Sequence, residues 1–327
     1  MKALLCKTLG PAEQLTVEDI PAEPMGPHAA RVRVVAAGVN FPDTLVIEGK
    51  YQFKPALPFS PGAEMAGVVT EVGDKVQGLS PGDRVMAVLS HGCYREELVT
   101  PAAGLIKVPD DMPLDVAAVF PMAYGTSYHA LVQRAQLAKG ESVLVLGAAG
   151  GVGLAAVELA KALGAGKVIA AVGSDAKMDV CRAHGADEVI NYSTGLKEQI
   201  KALTGGQGVD VIYDPVGGAL FDEIPSCLAW KGRVLVVGFA AGDIPLLPIN
   251  KLLIKGASAV GVFWGAFAMR EPAVNAANFA HLAALWQQGA LHPEVSADYA
   301  LEQVPQALAD LLARKAQGKL RVRISDG

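Results

Sequence analysis

The chain has 327 residues, of which 51% are hydrophobic and 19% are charged, and its formal net charge is −5. This length allows two domains with separate cores, and the composition excludes extended disorder. The negative charge is unfavourable for a nucleic-acid partner, and no apolar run is long enough to predict a membrane span.

The four cysteines are scattered along the chain and form no C-x-x-C pair. This pattern is typical of buried thiols in a reducing compartment, so we expect a cytoplasmic protein. The first residues, "MKALLCKTLG", predict a first strand rather than a secretory signal, because their apolar stretch is too short.

The first 120 or so residues contain short bursts rich in Val and Gly, bounded by turn residues such as Gly73-Asp74 and Pro81-Gly82-Asp83. Such bursts predict a mostly antiparallel β domain. The clearest of them are "ARVRVVAAGVN", "EMAGVVTEVGDKV", "GDRVMAV" and "EELVTP".

From about residue 123 the pattern changes to strands that alternate with helices. Six strands with crossover helices are what a doubly wound parallel sheet requires. The six candidate strands are "SVLVLGA", "KVIAAVG", "DEVINY", "VDVIYDPVGG", "GRVLVVGF" and "ASAVGVFW". Helices are predicted around 272–289 and 302–317, followed by a last strand, "KLRVRIS".

A glycine-rich turn, "GAAGGVG", lies between the first of these strands and a helical pattern, "LAAVELAKALGA". A helix N-terminus without β-carbons nearby attracts a phosphate, as in dinucleotide-binding folds. The G-x-G-x-x-G fingerprint is only partly met, because Ala148 stands at its first position, and a turn chosen only for close packing is the alternative. The candidate cofactor-binding residues here are Gly150, Gly151, Val152 and Gly153.

Several motifs together resemble one family. They are "AAGVNFPDTLVIEGKY" (36–51), "PFSPGAEMAGVVTEVG" (58–73), "PGDRV" (81–85), "AAGGVG" (148–153), "GADEVINY" (185–192), "DPVGG" (214–218) and "VGFAAG" (237–242). In this order they resemble the zinc-independent quinone oxidoreductase branch of the medium-chain dehydrogenase/reductase superfamily. The resemblance covers essentially the whole chain.

The resemblance implies an α/β protein in which a Rossmann domain is inserted into a GroES-like, mostly β catalytic domain. We therefore expect a GroES-like domain over residues 1–122 and a Rossmann NADPH-binding domain over residues 123–264. Residues 265–327 are expected to return to the catalytic domain.

The positions of the zinc ligands are replaced in this chain. Zinc-dependent relatives use a cysteine, a histidine and a second cysteine, and alignment by motif places Asn40, Ala63 and Met122 there. Only Glu64, a neighbouring carboxylate of that pattern, remains. We expect no metal, so hydride must pass to an electron-poor acceptor such as a quinone or an α,β-unsaturated carbonyl compound.

The tip of the second parallel strand bears on the choice of nicotinamide cofactor. NAD-specific sites carry an acidic residue there, whereas this chain has Val172. By resemblance to NADPH-using quinone reductases, Lys177 and Tyr192 contact the 2′-phosphate, and Ser174 is placed to donate to it. Asp175 opposes this prediction if it faces the phosphate, and Lys177 as a solvated lysine is the alternative. The sequence favours NADPH.

Three residues are candidates for the catalytic site by resemblance. Asn40 corresponds to an asparagine beside the nicotinamide ribose, and Thr126 corresponds to a threonine that packs on the nicotinamide ring. Tyr51 corresponds to an active-site tyrosine whose phenol donates to developing enolate charge. A turn residue at Asn40 and a loop tyrosine at Tyr51 are the alternatives.

Residues at the ends of the fifth and sixth parallel strands complete the candidate cofactor site, because the carboxyl ends of such strands line the cofactor crevice. They are Gly238, Phe239, Val262 and Phe263. Phe263, Trp264 and Phe267 line either the substrate site or an interdomain core.

The sequence thus predicts a metal-free, NADPH-dependent reductase of quinones or related α,β-unsaturated carbonyl compounds. Two alternatives stay open: an enoyl-thioester (enoyl-CoA) reductase, and a crystallin-like NADPH-binding protein with little turnover. The sixth strand is apolar and lies at the sheet edge, so we expect a homodimer through this strand. The physiological acceptor is left open.

Overall fold

The computed structural model describes residues 1–325, which form an α/β protein with two compact units. Of the described residues, the first unit comprises 1–122 and 295–325, and the second comprises Ala123–Glu294. No helix in the described range combines the length and the apolar character needed to cross a membrane.

The strands of the described residues are numbered in chain order. They are β1 (Lys2–Leu5), β2 (Thr16–Asp19), β3 (Ala29–Val39), β4 (Glu64–Val72), β5 (Arg84–Val88), β6 (Glu97–Pro101), β7 (Ile106–Lys107), β8 (Ser142–Leu146), β9 (Lys167–Val172), β10 (Glu188–Asn191), β11 (Val209–Asp214), β12 (Leu228–Val236), β13 (Ser258–Gly261), β14 (Val295–Ala300) and β15 (Lys319–Arg323).

The α-helices of the same residues are numbered in the same way. They are α1 (Phe41–Ile47), α2 (Leu114–Ala117), α3 (Pro121–His129), α4 (Gly151–Ala162), α5 (Met178–Ala183), α6 (Leu196–Leu203), α7 (Ile224–Cys227), α8 (Ile249–Lys255), α9 (Trp264–Arg270), α10 (Pro272–Gln287) and α11 (Val304–Leu312).

The first unit is built on a sheet in the order β14-β15-β3-β4-β5-β7, with β6 also paired to β3. All pairs are antiparallel except β14 with β15, which confirms the predicted mostly antiparallel domain. In β3 the alternation of arginine and valine places Val32 and Val34 in the core, while Arg31 and Arg33 stay partly exposed. Strand β14 was not predicted.

The second unit contains a parallel sheet in the order β10-β9-β8-β11-β12-β13. All six predicted strands are present, and their apolar runs are buried because helices cover both faces of such a sheet. The strand order reverses between β8 and β11. In doubly wound sheets, ligands bind at the carboxyl ends of the strands next to this reversal.

Residues 265–294 belong to the second unit, whereas the sequence assigned them to the segment that returns to the first domain. The reason is aromatic packing against α3. The rings of Phe267 and His129 stack with centroids 3.9 Å apart, and a β-carbon at Gly125 would lie 2.6 Å from the Trp264 ring. Helix α10 is fastened by a 2.6 Å hydrogen bond between Tyr128 and His281.

Candidate active site

The glycine-rich turn joins the end of β8 to the start of α4. Gly147 has a φ of 56°, a conformation that favours glycine, and its carbonyl accepts from the backbone N–H of Gly150 (2.9 Å). A β-carbon at Gly153 would lie 2.4 Å from the same carbonyl oxygen, so Gly153 is required for packing. Since the first N–H groups of a helix lack partners within it, the turn also leaves donors at the carboxyl edge of the sheet.

At the tip of β9, the three residues predicted to hold a 2′-phosphate lie on neighbouring segments. Ser174 precedes a single helical turn, Asp175–Lys177, and its carbonyl accepts from the Lys177 backbone N–H (3.2 Å). Tyr192 follows β10, and its hydroxyl would lie 2.8 Å from a β-carbon at Gly173. The absence of a side chain at Gly173 therefore lets the phenol reach the strand tip.

Asp175, the residue that opposed the NADPH prediction, has a partner of its own. Its Oδ1 accepts a hydrogen bond from Asn191 Nδ2 (2.8 Å). That bond directs the carboxylate toward the end of β10. At the same tip Ser174 is exposed and Lys177 is half-buried.

The ends of β11, β12 and β13 are shaped by a buried carboxylate. Asp214 accepts from the backbone N–H groups of Val216 (2.8 Å) and Gly217 (2.9 Å), and burial raises its pKa. The turn so formed lies beside Gly238, where a β-carbon would be 3.4 Å from the Pro215 carbonyl oxygen. Among the residues predicted at these ends, Phe239 packs over Gly217 and Phe263 is exposed. The backbone N–H of Val262 donates to the Val236 carbonyl (2.9 Å).

Thr126 lies on α3, which is tied directly to the glycine-rich turn. The neighbouring hydroxyl of Ser127 donates to the Val152 carbonyl (2.9 Å) and lies 2.9 Å from the Tyr213 hydroxyl at β11. Ser127 is fully buried, whereas Thr126 is half-buried. Sequence reasoning missed Ser127, because a lone serine in a helix carries no signal of a partner so far along the chain.

In the first unit, Asn40 is part of a buried charged cluster. Its Nδ2 donates to Glu64 Oε1 (2.9 Å), and Lys319 Nζ donates to both Asn40 Oδ1 and Glu64 Oε1 (2.5 Å each). The strand register brings Lys319 close to Asn40, because β15 pairs with β3 at Leu320 and Val39, which are their neighbours in sequence. Lys319 was not predicted, since a lysine that opens a strand resembles an ordinary surface residue.

A second buried carboxylate, Asp43, lies one helical turn beyond Asn40. Its Oδ2 accepts from the Asn40 backbone N–H (2.9 Å) and from the Tyr94 hydroxyl (2.8 Å). Burial raises the pKa of Asp43 to about 7, although these hydrogen bonds and Lys319 act in the opposite direction. Burial, and secondly the charge of Asp43, raise the pKa of Tyr51, which is half-buried against the core of the first unit.

Comparisons with known proteins identify the family of this chain. Residues 26–110 match the model for the alcohol dehydrogenase GroES-like domain, and residues 151–279 match the model for the zinc-binding dehydrogenase. Quinone oxidoreductase-like protein 2 from Rattus norvegicus is 41% identical over 320 residues, covering 98% of this chain and 91% of that protein. The chain belongs to the quinone oxidoreductase branch of the medium-chain dehydrogenase/reductase family. It is an oxidoreductase of that type.

Solved structures of quinone oxidoreductases share the fold throughout. The enzyme from Pseudomonas syringae is 33% identical with a TM-score of 0.91, covering 98% of this chain and 99% of that one. The Escherichia coli quinone oxidoreductase complexed with NADPH is 29% identical with a TM-score of 0.90, covering 99% of this chain and 100% of that one. These comparisons confirm the fold class and the family inferred from the sequence motifs.

The three residues that motif alignment places at the zinc-ligand positions have other surroundings in this chain. Among residues 1–325, no group of three or more His, Cys, Asp or Glu side chains is arranged to hold a metal. Ala63 is buried, and the backbone N–H of Met122 donates to Glu64 Oε2 (3.0 Å). Asn40 and Glu64 instead share the ammonium of Lys319.

Proposed function

We propose that this protein is a metal-free, NADPH-dependent reductase that transfers hydride to quinones or related α,β-unsaturated carbonyl compounds. The observation that carries the proposal is the replacement of the zinc ligands by Asn40, Ala63 and Met122 beside the Lys319–Glu64 ion pair. A site without a Lewis acid does not stabilise an alkoxide, whereas a conjugated acceptor spreads the charge onto an oxygen that hydrogen bonds stabilise.

The second unit fits a dinucleotide phosphate. Helix α4 has 12 residues, and its N-terminus lies at the strand-order reversal, where we assign the backbone N–H groups of Gly151, Val152 and Gly153 to a pyrophosphate. The N–H of Gly150 is taken by the Gly147 carbonyl, so Gly150 contributes through its lack of a side chain. We assign the 2′-phosphate to Ser174, Lys177 and Tyr192, supported by the engagement of Asp175 with Asn191. The E. coli relative was solved with NADPH, which agrees with this choice.

The remaining candidates are assigned to the reacting end of the cofactor, which supplies hydride when bound. We propose that backbone groups of Gly238, Phe239, Val262 and Phe263 hold the carboxamide, and that Thr126 packs on the ring. Asn40 is assigned to the nicotinamide ribose. Tyr51 is assigned to the acceptor oxygen, to which its phenol donates a hydrogen bond.

We assign the GroES-like catalytic role to the first unit and the Rossmann role to the second. The family-model matches at 26–110 and 151–279 support this assignment. The four cysteines are unpaired and buried, which supports the proposed cytoplasmic, reducing location.

We further propose a homodimer through β13. This strand ends the parallel sheet of the second unit, and an exposed edge strand is a template for pairing. The apolar side chains of Trp230, Ile249, Leu253 and Ile254, on β12 and α8 of the same unit, are all exposed. Light scattering on the wild type and on Leu253→Glu tests this, and a monomeric wild type contradicts it.

The function is tested by mixing the purified protein with NADPH or NADH and a simple quinone, an enone or an enoyl-thioester. We expect steady NADPH oxidation with the quinone and slower oxidation with NADH. Faster turnover of the enoyl-thioester supports the enoyl reductase alternative, and NADPH binding without turnover supports the crystallin-like alternative.

The metal-free part of the proposal has a separate check. We expect elemental analysis to find no stoichiometric zinc and activity to persist in a strong chelator. About one zinc per chain, with activity lost on its removal, contradicts the proposal.

A further inference from the structure

The ammonium of Lys319 is buried, with 7% of the residue exposed, and it is fully occupied by the protein itself. It donates to the Val39 carbonyl (3.2 Å), to Asn40 Oδ1 (2.5 Å) and to Glu64 Oε1 (2.5 Å). An ammonium has three N–H donors, so none remains for a cofactor or an acceptor. Any part that Lys319 takes in the reaction must therefore pass through its neighbours.

The Asn40 amide is held between a cation and an anion. Its oxygen faces the ammonium of Lys319, and its nitrogen donates to Glu64 Oε1 (2.9 Å) and to the Gly38 carbonyl (3.4 Å). Reversal of the amide would place its NH₂ group against the ammonium and its oxygen against the carboxylate. Both new contacts would be repulsive, so the ion pair selects one orientation of the amide.

The residues around Glu64 accommodate its buried ion pair with Lys319. Glu64 has no exposed surface, and its Oε2 accepts from the Met122 backbone N–H (3.0 Å). Gly38 leaves the necessary room, since a β-carbon there would lie 2.1 Å from Glu64 Oε1. Buried ion pairs are often no more stabilising than apolar residues of the same volume. Stability alone therefore gives no reason for the cluster, whereas the orientation of Asn40 does.

We propose that Lys319 is a positioning residue, which with Glu64 fixes the orientation of the Asn40 amide and leaves the second lone pair of Asn40 Oδ1 to accept from the nicotinamide ribose. This inference rests on the proposed function, which places Asn40 at that ribose. Lys319 thus contacts Asn40, the residue that motif alignment places at a zinc-ligand position, and it orients that side chain instead of polarising an acceptor.

The test is a double-mutant cycle. The charge-balanced variant Lys319→Met/Glu64→Gln removes the ion pair without leaving a lone buried charge, and it is made in the wild-type and Asn40→Ala backgrounds. Each protein is assayed for its Kd for NADPH by fluorescence titration, for kcat and KM with a simple quinone, and for its thermal midpoint. Lys319→Arg, which keeps the charge, is the conservative variant.

In the wild-type background, we expect the charge-balanced change to weaken NADPH binding and to lower kcat/KM. The two losses together should amount to about ten- to a hundredfold. In the Asn40→Ala background the same change should lower the NADPH affinity and kcat/KM together by less than about threefold, because the amide that the ion pair orients is already absent. Lys319→Arg should recover part of the loss. If the charge-balanced variant does not fold, the cycle is run with Lys319→Gln/Glu64→Gln, which also leaves no lone buried charge, and with the same criterion.

Two outcomes overturn the inference. Losses that multiply across the two backgrounds show that Lys319 does not act through Asn40, and an unchanged Kd, kcat and KM show that the pair is only structural. A wild type that binds NADPH but reduces no acceptor contradicts the proposed function alone, because the Kd cycle still decides the role of Lys319. A wild type that does not bind NADPH overturns both.

Discussion

Each unit of this protein buries one glutamate against a cation, and the two cations differ. In the first unit Glu64 is paired with Lys319, whereas in the second Glu158 accepts from His184 Nδ1 (2.6 Å) and from the Tyr124 hydroxyl (2.6 Å). Histidine is the side chain that ordinarily changes charge between pH 5 and 8. The comparison teaches that two buried glutamates can differ in their partners, since only Glu158 is paired with a side chain that ordinarily titrates in this pH range.

The cluster around Glu158 also differs from the one around Glu64 in the segments of the chain that it connects. Both oxygens of Glu158 on α4 accept from the backbone N–H of His292 (3.1 Å each), and His184 Nε2 lies 3.5 Å from Glu294 Oε2. The cluster therefore fastens the last residues of the second unit to two of its helices. The hydrogen bond to Glu158 is the main cause that raises the pKa of His184.

The largest expected effect comes from breaking the first pair at one end. Lys319→Met leaves Glu64 buried without a counter-charge, which should lower the free energy of unfolding by about 3–5 kcal/mol. Urea unfolding at pH 7 measures this. The charge-balanced variant Lys319→Met/Glu64→Gln is the control and should recover most of the loss. A single variant as stable as the double variant would show that the charge of Glu64 needs no partner.

Asp43, near the first pair, brings pH dependence to that unit. Its pKa is raised from 3.8 to about 7. The fold therefore favours the protonated acid, and this contribution is complete below about pH 4 and is lost as the pH rises through 7. At 1.36 kcal/mol per pKa unit, the difference of about three units corresponds to about 4 kcal/mol at most.

The measurement compares wild type with Asp43→Asn, which keeps an oxygen for Tyr94 and for the Asn40 backbone N–H. We expect the free energy of unfolding of the wild type to fall more steeply from pH 5 to pH 8 than that of the variant. Parallel curves would show that Asp43 ionises in the fold as readily as in the unfolded chain.

His184→Gln tests the titratable pair of the second unit. The pKa of His184 is raised, so its contribution is present below its ordinary value near 6.5 and is lost as the pH rises through the higher folded value. A charged hydrogen bond of this kind contributes about 1.5–3 kcal/mol. We expect the variant to be less stable than wild type at pH 6, with a smaller difference at pH 9. An equal difference at both pH values contradicts the assignment.

Lys177→Ala tests the proposed contact of the second unit with the 2′-phosphate of NADPH. Removal of one charge-assisted phosphate contact should reduce the preference for NADPH over NADH by roughly 1.5–3 kcal/mol, or ten- to a hundredfold. The ratio of the two Kd values measures this, with Lys201→Ala on α6 as the matched control. An unchanged ratio in Lys177→Ala would show that Lys177 is an ordinary surface lysine.

For the proposed quinone reduction, Tyr51→Phe gives the smallest expected effect, and it concerns the first unit alone. A hydroquinone anion collects a proton readily from water, so quinone turnover should change by less than about tenfold. An enolate from an enoyl-thioester is more basic, and loss of its acid catalyst costs typically about 10²–10⁴-fold. Comparing kcat/KM of wild type and Tyr51→Phe on both acceptors decides between a quinone reductase and an enoyl-thioester reductase. Equal, small losses on two efficiently reduced acceptors would show that Tyr51 is not the proton donor.

The parallel sheet was predictable because its signals are local. Runs such as Val143–Leu146 are apolar at every position, since both faces of a parallel strand are buried, and glycines mark the turns that follow. Strand β14 escaped prediction because its alternating, half-buried residues are a weak signal beside a long helix. Residues 265–294 were assigned to the other unit because a helical pattern does not reveal which aromatic ring it will meet.

The sequence by itself determined the strand–turn–helix order and the family motifs, because each is a matter of residue type at short spacing. Only the tertiary structure decided that Lys319 meets Glu64, 255 positions earlier, and that Asp175 is held by Asn191. Such contacts depend on which strands become neighbours and in what register, here β15 against β3. Periodicity shows which face of a strand is buried, but the partner of a buried charge is chosen by the fold as a whole.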